Sequence, residues 1–154
     1  MKIRDALKGD AATACAVLRA SIAEPCTIDH GNDPAIRGRW LAGKTPENVA
    51  AWIADPVASL LLAIEGEVVL AVGSVRDSGE ITLNYVSPSA RFRGASAALL
   101  KALEARAAER GNTTCHLVST ETAHRFYLAR GYVDTGPPQG RFGTASSHPM
   151  SKRI

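Results

Sequence analysis

Arg91-Phe92-Arg93-Gly94-Ala95-Ser96 is the stretch whose residue types most directly suggest chemistry. It lies between Val86-Ser87-Pro88 and Ala97-Ala98-Leu99-Leu100, so it reads as a short basic loop joining a strand to a helix. A helix start leaves backbone N–H groups unpaired and carries the positive end of the macrodipole, so it can hold an anion that the backbone can approach closely. Gly94, Ala95 and Ser96 keep that approach open, and Arg91 and Arg93 add guanidinium forks that suit phosphate oxygens. Phosphate or pyrophosphate is the indicated ligand. On spacing alone, an ordinary helix entry after a basic loop fits equally well. Two other phosphate cradles are excluded, because the loop does not follow the first strand of a βαβ unit and lacks a Gly-Lys-Ser/Thr ending.

Cys26, Asp29, His30 and Asp33 are near enough in sequence to raise the question of a metal. Their spacing matches no zinc pattern, so turn-forming Asp residues beside a surface His are expected, and no metal. Cys115 has no accompanying His–carboxylate pattern and reads as a buried strand residue, not a nucleophile.

The elements that must position the loop follow from periodicity. Ile81, Leu83 and Tyr85 alternate with Thr82 and Asn84 after the turn Asp77-Ser78-Gly79, so Glu80–Val86 reads as a strand, which Pro88 ends for want of an N–H. Leu99, Leu100, Leu103 and Ala107 recur at helical spacing, with Gly111 as the stop. Upstream, Met1–Leu7 suggests a first strand, followed by a helix with Asp10 as N-cap and Ala14, Val17, Leu18, Ser21 and Ile22 on one face. Cys26 to Pro46 is loop chemistry with a short helix around Ile36–Leu41, and Thr45-Pro46 opens a further helix that turns Val49, Trp52 and Ile53 inward. Ser59–Ile64 and Val68–Val75 make a strand pair across Glu65-Gly66-Glu67 and form a meander with Glu80–Val86. Strands at Thr114–Val118, near Tyr132–Asp134 and around Ser146–Lys152, with a helix holding Tyr127, complete the chain. The order predicts a mixed α/β sandwich around a central, mostly antiparallel sheet.

Length and composition set bounds. The 154 residues, 45% of them hydrophobic, fit one domain spanning 1–154 with a proper core. A formal charge of +3, scattered and not gathered into a run, gives no support to nucleic-acid or membrane-surface binding. The apolar run Val57–Ile64 falls far short of the ~20 residues a spanning helix needs. An odd number of cysteines and no apolar leader make a reducing cytoplasm the expected location.

The loop resembles the acyl-CoA pyrophosphate loop of the GNAT superfamily of N-acetyltransferases, Val-x-Pro-x-x-Arg/Gln-x-x-Gly-x-Gly/Ala before a helix: Val86, Pro88, Arg91 and Gly94 match it position by position. Ser96 departs from it, standing where the family usually has Gly or Ala. Ala123-His124-Arg125-Phe126-Tyr127 through Gly131-Tyr132 is similar to the family's second motif, Ala-x-x-Phe-Tyr-x-x-x-Gly-Phe/Tyr, and the resemblance is sharp from Glu80 to Tyr132. It implies a central sheet splayed beside the pyrophosphate helix, acetyl-CoA as co-substrate, and an acyl transfer by direct attack of a primary amine in a ternary complex.

Carried over residue by residue, the resemblance places Tyr127 at the CoA sulfur, as proton or hydrogen-bond donor, and Glu80 as general base. It assigns CoA binding to Val86, Arg91, Phe92, Arg93, Gly94, Ala95 and Ser96. Thr120 stands where the family commonly has Asn, and either reaches the pantetheine or caps the helix that follows. The Cys26–Leu41 region, with Trp40, falls on the wall of the acceptor site. The acceptor is a small-molecule amine or a peptide or protein amine, and dimerisation is left open although many relatives pair. A CoA-binding sensor without catalysis is the alternative.

Overall fold

The computed structural model describes residues 1–24, 26–140 and 147–154. Strand β1 (Lys2–Asp5) leads through a 3-10 turn into helix α1 (Ala11–Ala23), followed by α2 (Thr27–His30), α3 (Pro34–Ala42) and α4 (Pro46–Ala54). Then come β2 (Ala58–Glu65), β3 (Val68–Arg76), β4 (Ile81–Val86), α5 (Ala95–Glu109), β5 (Thr114–Thr120), α6 (His124–Leu128), β6 (Val133–Asp134) and β7 (Ser147–Arg153). Of the expected final segment, Ser146 lies outside the described residues.

The strands form two antiparallel sheets, β1-β2-β3-β4 and β5-β7-β6. They meet at a parallel bridge between Glu80 and His116, where the His116 N–H donates to the Gly79 carbonyl at 3.1 Å. Beyond that vertex β4 and β5 diverge, which is the splay the resemblance implied.

Helix α5 covers one face, and its Leu99, Leu100 and Leu103 join Leu61, Ile81, Leu117 and Met150 in a core that spans both sheets. It lies close on β3 because residue 73 is glycine: a Cβ there would sit 2.8 Å from Leu103 Cδ1 and 2.9 Å from Leu99 Cδ2. On the other face, α1 and α4 pack Ala14, Leu18 and Val49 against Leu60, Leu62 and Val72. Helix entries follow from their residues. Thr45 Oγ1 accepts from Asn48 N with Pro46 in the first turn, and Asp33 accepts from the Ala35 and Ile36 amides to start α3.

Four expectations need correction. Asp10 occupies the N-cap of α1 but its carboxylate makes no cap bond there; it accepts from Leu7 N at 2.7 Å and pairs with Arg4 at 2.8 Å. The segment after Cys26 holds two helices, because Asp33 and Pro34 supply a start signal ahead of Ile36. His30 is no surface residue: it is 1% exposed, its Nδ1 accepts from Asn32 N, and its Nε2 therefore carries the proton it gives to Ile22 O. Finally, the even alternation of Ile81, Leu83 and Tyr85 is broken. Ser74 faces Leu83 while Val75 faces Ile81, so Thr82 is an extra bulged residue, and Ile81 turns to α5 while Leu83 and Tyr85 turn to α1.

Candidate active site

The gap between β4 and β5 has a lining dictated by strand register. Ser87 N donates to Leu70 O at 2.7 Å, and Val86 stands opposite Ala71, so the Val86–Ala71 pair is of the non-hydrogen-bonded kind. Its N–H and C=O therefore point away from β3, into the gap, and those of Asn84 opposite Gly73 do the same. The result is a stretch of strand edge without a strand beside it, at the wall of a cleft of about 320 Å³.

At the mouth stands the start of α5. Gly94 is the N-cap, in the left-handed region at φ 79°, with no side-chain cap and nothing within 4 Å of where a Cβ would project. The amides of the first turn thus face the cleft without carbonyl partners from their own helix. Phe92 also has positive φ, 64°, which turns its ring out to 95% exposure under the Arg91 guanidinium, 4.9 Å from the ring centroid. Arg91, Phe92, Gly94, Ala95 and Ser96 all line the cleft. Arg93 turns away to an exposed ion pair with Glu65 at 2.6 Å. A different cation stands in its place: Arg130, just beyond α6, lines the same cleft with its guanidinium 4.0 Å over the Phe126 ring. Sequence reading passed over Arg130 because it sits at an unmarked position of the second motif.

Tyr127 forms the inner wall. It is 6% exposed, set edge-on to Phe126 and Tyr132, and burial pushes its pKa up to about 12 although a hydrogen bond from Asn84 works the other way. Asn84, whose buried Oδ1 has no hydrogen-bond partner, lines the cleft beside the phenol. Asn84 is the second residue missed from sequence: it read as the solvent side of an alternating strand, and the bulge at Thr82 turns it toward α6. Thr120 lines the cleft and also accepts from Ala123 N at 3.1 Å, so its hydroxyl does cap the approach to α6.

The floor near α2 is held by Asp29, 4% exposed, whose carboxylate accepts from Glu121 N at 2.5 Å, Thr122 N at 3.2 Å and the Thr122 hydroxyl. Charge-assisted bonds to amides are what make such a buried carboxylate tolerable. They also bring Cys26 to the cleft, where burial and then Asp29 push its pKa up to about 12. It stays a thiol there. Trp40 is 5% exposed and packs with Ile22 and Cys26 behind this wall.

Glu80 is not brought to Tyr127. It sits at the vertex, 3.9 Å from His116 Nε2, four residues up the strand from Asn84, a span of roughly 13 Å. Among the described residues no helix is long and apolar enough to cross a membrane.

A mixed α/β fold whose antiparallel sheets splay beside an uncapped helix start, with a buried phenol inside the gap, defines an acyl-CoA-dependent transferase in architecture. Residues 39–154 match the family model described as acetyltransferase (GNAT) domain, so the chain belongs to the GNAT acetyltransferase family and is an acetyl-CoA-dependent acetyltransferase. The GCN5-related N-acetyltransferase from Rhodopseudomonas palustris, whose description adds "Aminotransferase, Class-II", is 25% identical with a TM-score of 0.87 over 99% of this chain and 95% of that one. PaiA N-acetyltransferase from Thermoplasma acidophilum, in complex with coenzyme A, is 17% identical with a TM-score of 0.84 over 99% and 98%. The yncA protein from Salmonella typhimurium with acetyl-CoA is 21% identical with a TM-score of 0.75 over 99% and 93%. Curated protein sequences give no match.

Proposed function

We propose that this chain, acting as one catalytic domain, moves an acetyl group from acetyl-CoA to a primary amine by direct attack in a ternary complex. The observation that carries the reading is the buried Tyr127 phenol at the wall of a cleft whose mouth is the open start of α5. The coenzyme diphosphate lies against the first amides of α5, held by Arg91 and Arg130, with Gly94, Ala95 and Ser96 giving it room. The pantetheine arm pairs with the outward N–H and C=O of Val86, as an added strand would, and Thr120 lies alongside it. The amine nitrogen attacks the thioester carbon, the C–N bond forms, the C–S bond breaks, and Tyr127 meets the departing sulfur. Arg93 adds only long-range positive charge.

Direct attack is favoured over an acyl-enzyme because the one cysteine found at the cleft, Cys26, is held as a thiol. Three free, buried cysteines suit a reducing compartment such as the cytoplasm. The test is release of free thiol from acetyl-CoA against a panel of amines, amino acids and peptides; no release above hydrolysis with any of them would overturn the reading.

Two variants probe the parts. Gly94→Ala places a methyl group in the space assigned to the diphosphate and costs about 1–3 kcal/mol in backbone strain. KM for acetyl-CoA should rise at least about tenfold with the acceptor KM little moved. Glu80 is proposed as base only through water, given its distance from Tyr127. Glu80→Gln should then flatten the acidic limb of the pH–rate profile, and an unchanged profile removes Glu80 from the mechanism.

A further inference from the structure

We propose that Asn84 binds the attacking amine, its side-chain oxygen accepting an N–H and turning the nitrogen lone pair toward the thioester; the inference rests on the acetyl-transfer reading above. Among the described residues, one buried side-chain oxygen or nitrogen stands without a hydrogen-bond partner, and it is Asn84 Oδ1. A buried carbonyl oxygen in that condition is costly, so it calls for a reason in function. Its surroundings supply one. Asn84 lines the cleft assigned to the coenzyme and also a smaller cavity of about 50 Å³, which continues along the gap between β4 and β5 past Leu83, Leu117 and Val118. Asn84, Tyr85, Thr120, Ala123 and Tyr127 line both spaces, so the two meet at these five residues.

The chemistry at that junction narrows what the oxygen can take. With Tyr127 at the departing sulfur, the thioester carbon lies beside it and the coenzyme fills the wider space, so the amine approaches from the other. A carboxamide oxygen accepts hydrogen bonds and cannot donate one. The thioester offers no N–H, and the first pantetheine amide is two carbons removed from the sulfur, toward the outward backbone groups of Val86. The attacking amine brings N–H bonds to the reacting atoms themselves. Tyr127 is assigned to the sulfur and the Thr120 hydroxyl oxygen already accepts from Ala123 N at 3.1 Å, whereas Asn84 Oδ1 has no other bond. As the C–N bond forms, the nitrogen gains positive charge and its N–H bonds become stronger donors, so the bond to Oδ1 tightens in the transition state. Asn84 takes no proton; the one the amine loses ends on sulfur. An uncharged acceptor also has an advantage over a carboxylate, which would hold the amine as an ammonium ion with no lone pair to attack.

The test is steady-state kinetics of the full-length protein with acetyl-CoA and an amine that supports thiol release, beside calorimetric titration with CoA. Asn84→Leu keeps the bulk and removes the oxygen. Its KM for the amine should rise and its kcat fall, together lowering kcat/KM by about 10–100-fold, while the affinity for CoA is unchanged. Its Tm should not fall, since leucine replaces an unpaired buried acceptor. Asn84→Asp should separate the two constants: KM for the amine no higher than in wild type, because the carboxylate attracts the ammonium ion, and kcat lower by about tenfold or more. In a Tyr127→Phe background, Asn84→Leu should raise the amine KM by the same factor as it does alone, which excludes an effect passed through the phenol. Unchanged amine KM and kcat in folded Asn84→Leu overturn the proposal. So does a loss of CoA affinity that accounts for the whole defect, which would give the oxygen to a pantetheine N–H. If the wild type releases no thiol with any amine, the acetyl-transfer reading itself fails, and the Asn84 assignment with it.

Discussion

Tyr127→Phe is expected to lower kcat for acetyl transfer by about 10²–10³-fold, with KM for acetyl-CoA nearly unchanged, because the proposed mechanism puts the phenol at the departing sulfur and not at the diphosphate. Magnitudes decide what the phenol does there. With its pKa near 12, against about 8.5 for an ordinary thiol, outright proton transfer to the thiolate would run uphill by roughly 5 kcal/mol. A hydrogen bond to the sulfur as charge develops carries no such penalty. In the proposed mechanism Tyr127 therefore steadies the leaving group, and the proton that ends on sulfur comes from the amine side. It follows that the variant should be slow at every pH without a change in the shape of the profile between about pH 6 and pH 10, where Tyr127 does not titrate. An unaltered kcat in a folded variant would remove Tyr127 from the chemistry.

The same burial has a consequence at alkaline pH. Tyr127 holds its proton more tightly folded than unfolded, so its contribution to stability is whole below the ordinary phenol value near 10 and is lost as pH rises through about 12. Tyr132, also raised by burial and by its bond to Glu104, acts in the same direction.

How much of this was legible in the sequence depended on whether a residue's role is local. Thr45, Gly111 and the Gly94 loop act on their own neighbours in the chain, and their types announced them. Asn84, Arg130 and Asp29 act on partners brought from afar: Asn84 reaches Tyr127, Arg130 shares a cleft with Arg91, and Asp29 binds amides 92 and 93 residues away. No spacing rule reports such pairings. The bulge at Thr82 is a middle case. Alternation in the sequence was real, but the added residue flips the face from which Asn84 is presented, and period-two patterns carry no mark of a one-residue insertion. Within the matched motifs the sequence also could not separate Arg91 from Arg93, because which guanidinium faces the cleft depends on Glu65, at the end of a distant strand.

Gly79→Ala should be among the most destabilising single-methyl changes in the chain. Residue 79 has φ 88°, and an added Cβ would sit 2.5 Å from the Thr114 carbonyl oxygen and 3.3 Å from Asn112 Cγ. The first neighbour is backbone on the way into β5 and has nowhere to retreat. Gly79 also makes a turn bond to Arg76 O at 2.9 Å and receives the His116 amide, so the clash falls on the vertex where the two sheets are joined. Backbone strain of about 1–3 kcal/mol and overpacking of about 1–3 kcal/mol add to roughly 2–6 kcal/mol. For a chain of this size that is a fall in Tm of roughly 5–20 °C. Gly94→Ala, at nearly the same φ but facing open space, should show only the strain component, and the difference between the two melting temperatures isolates the vertex contact. Equal shifts would mean that β4 and β5 do not close on each other at Gly79, and a cleft that depends on strands joined at one end and parted at the other would lose its hinge.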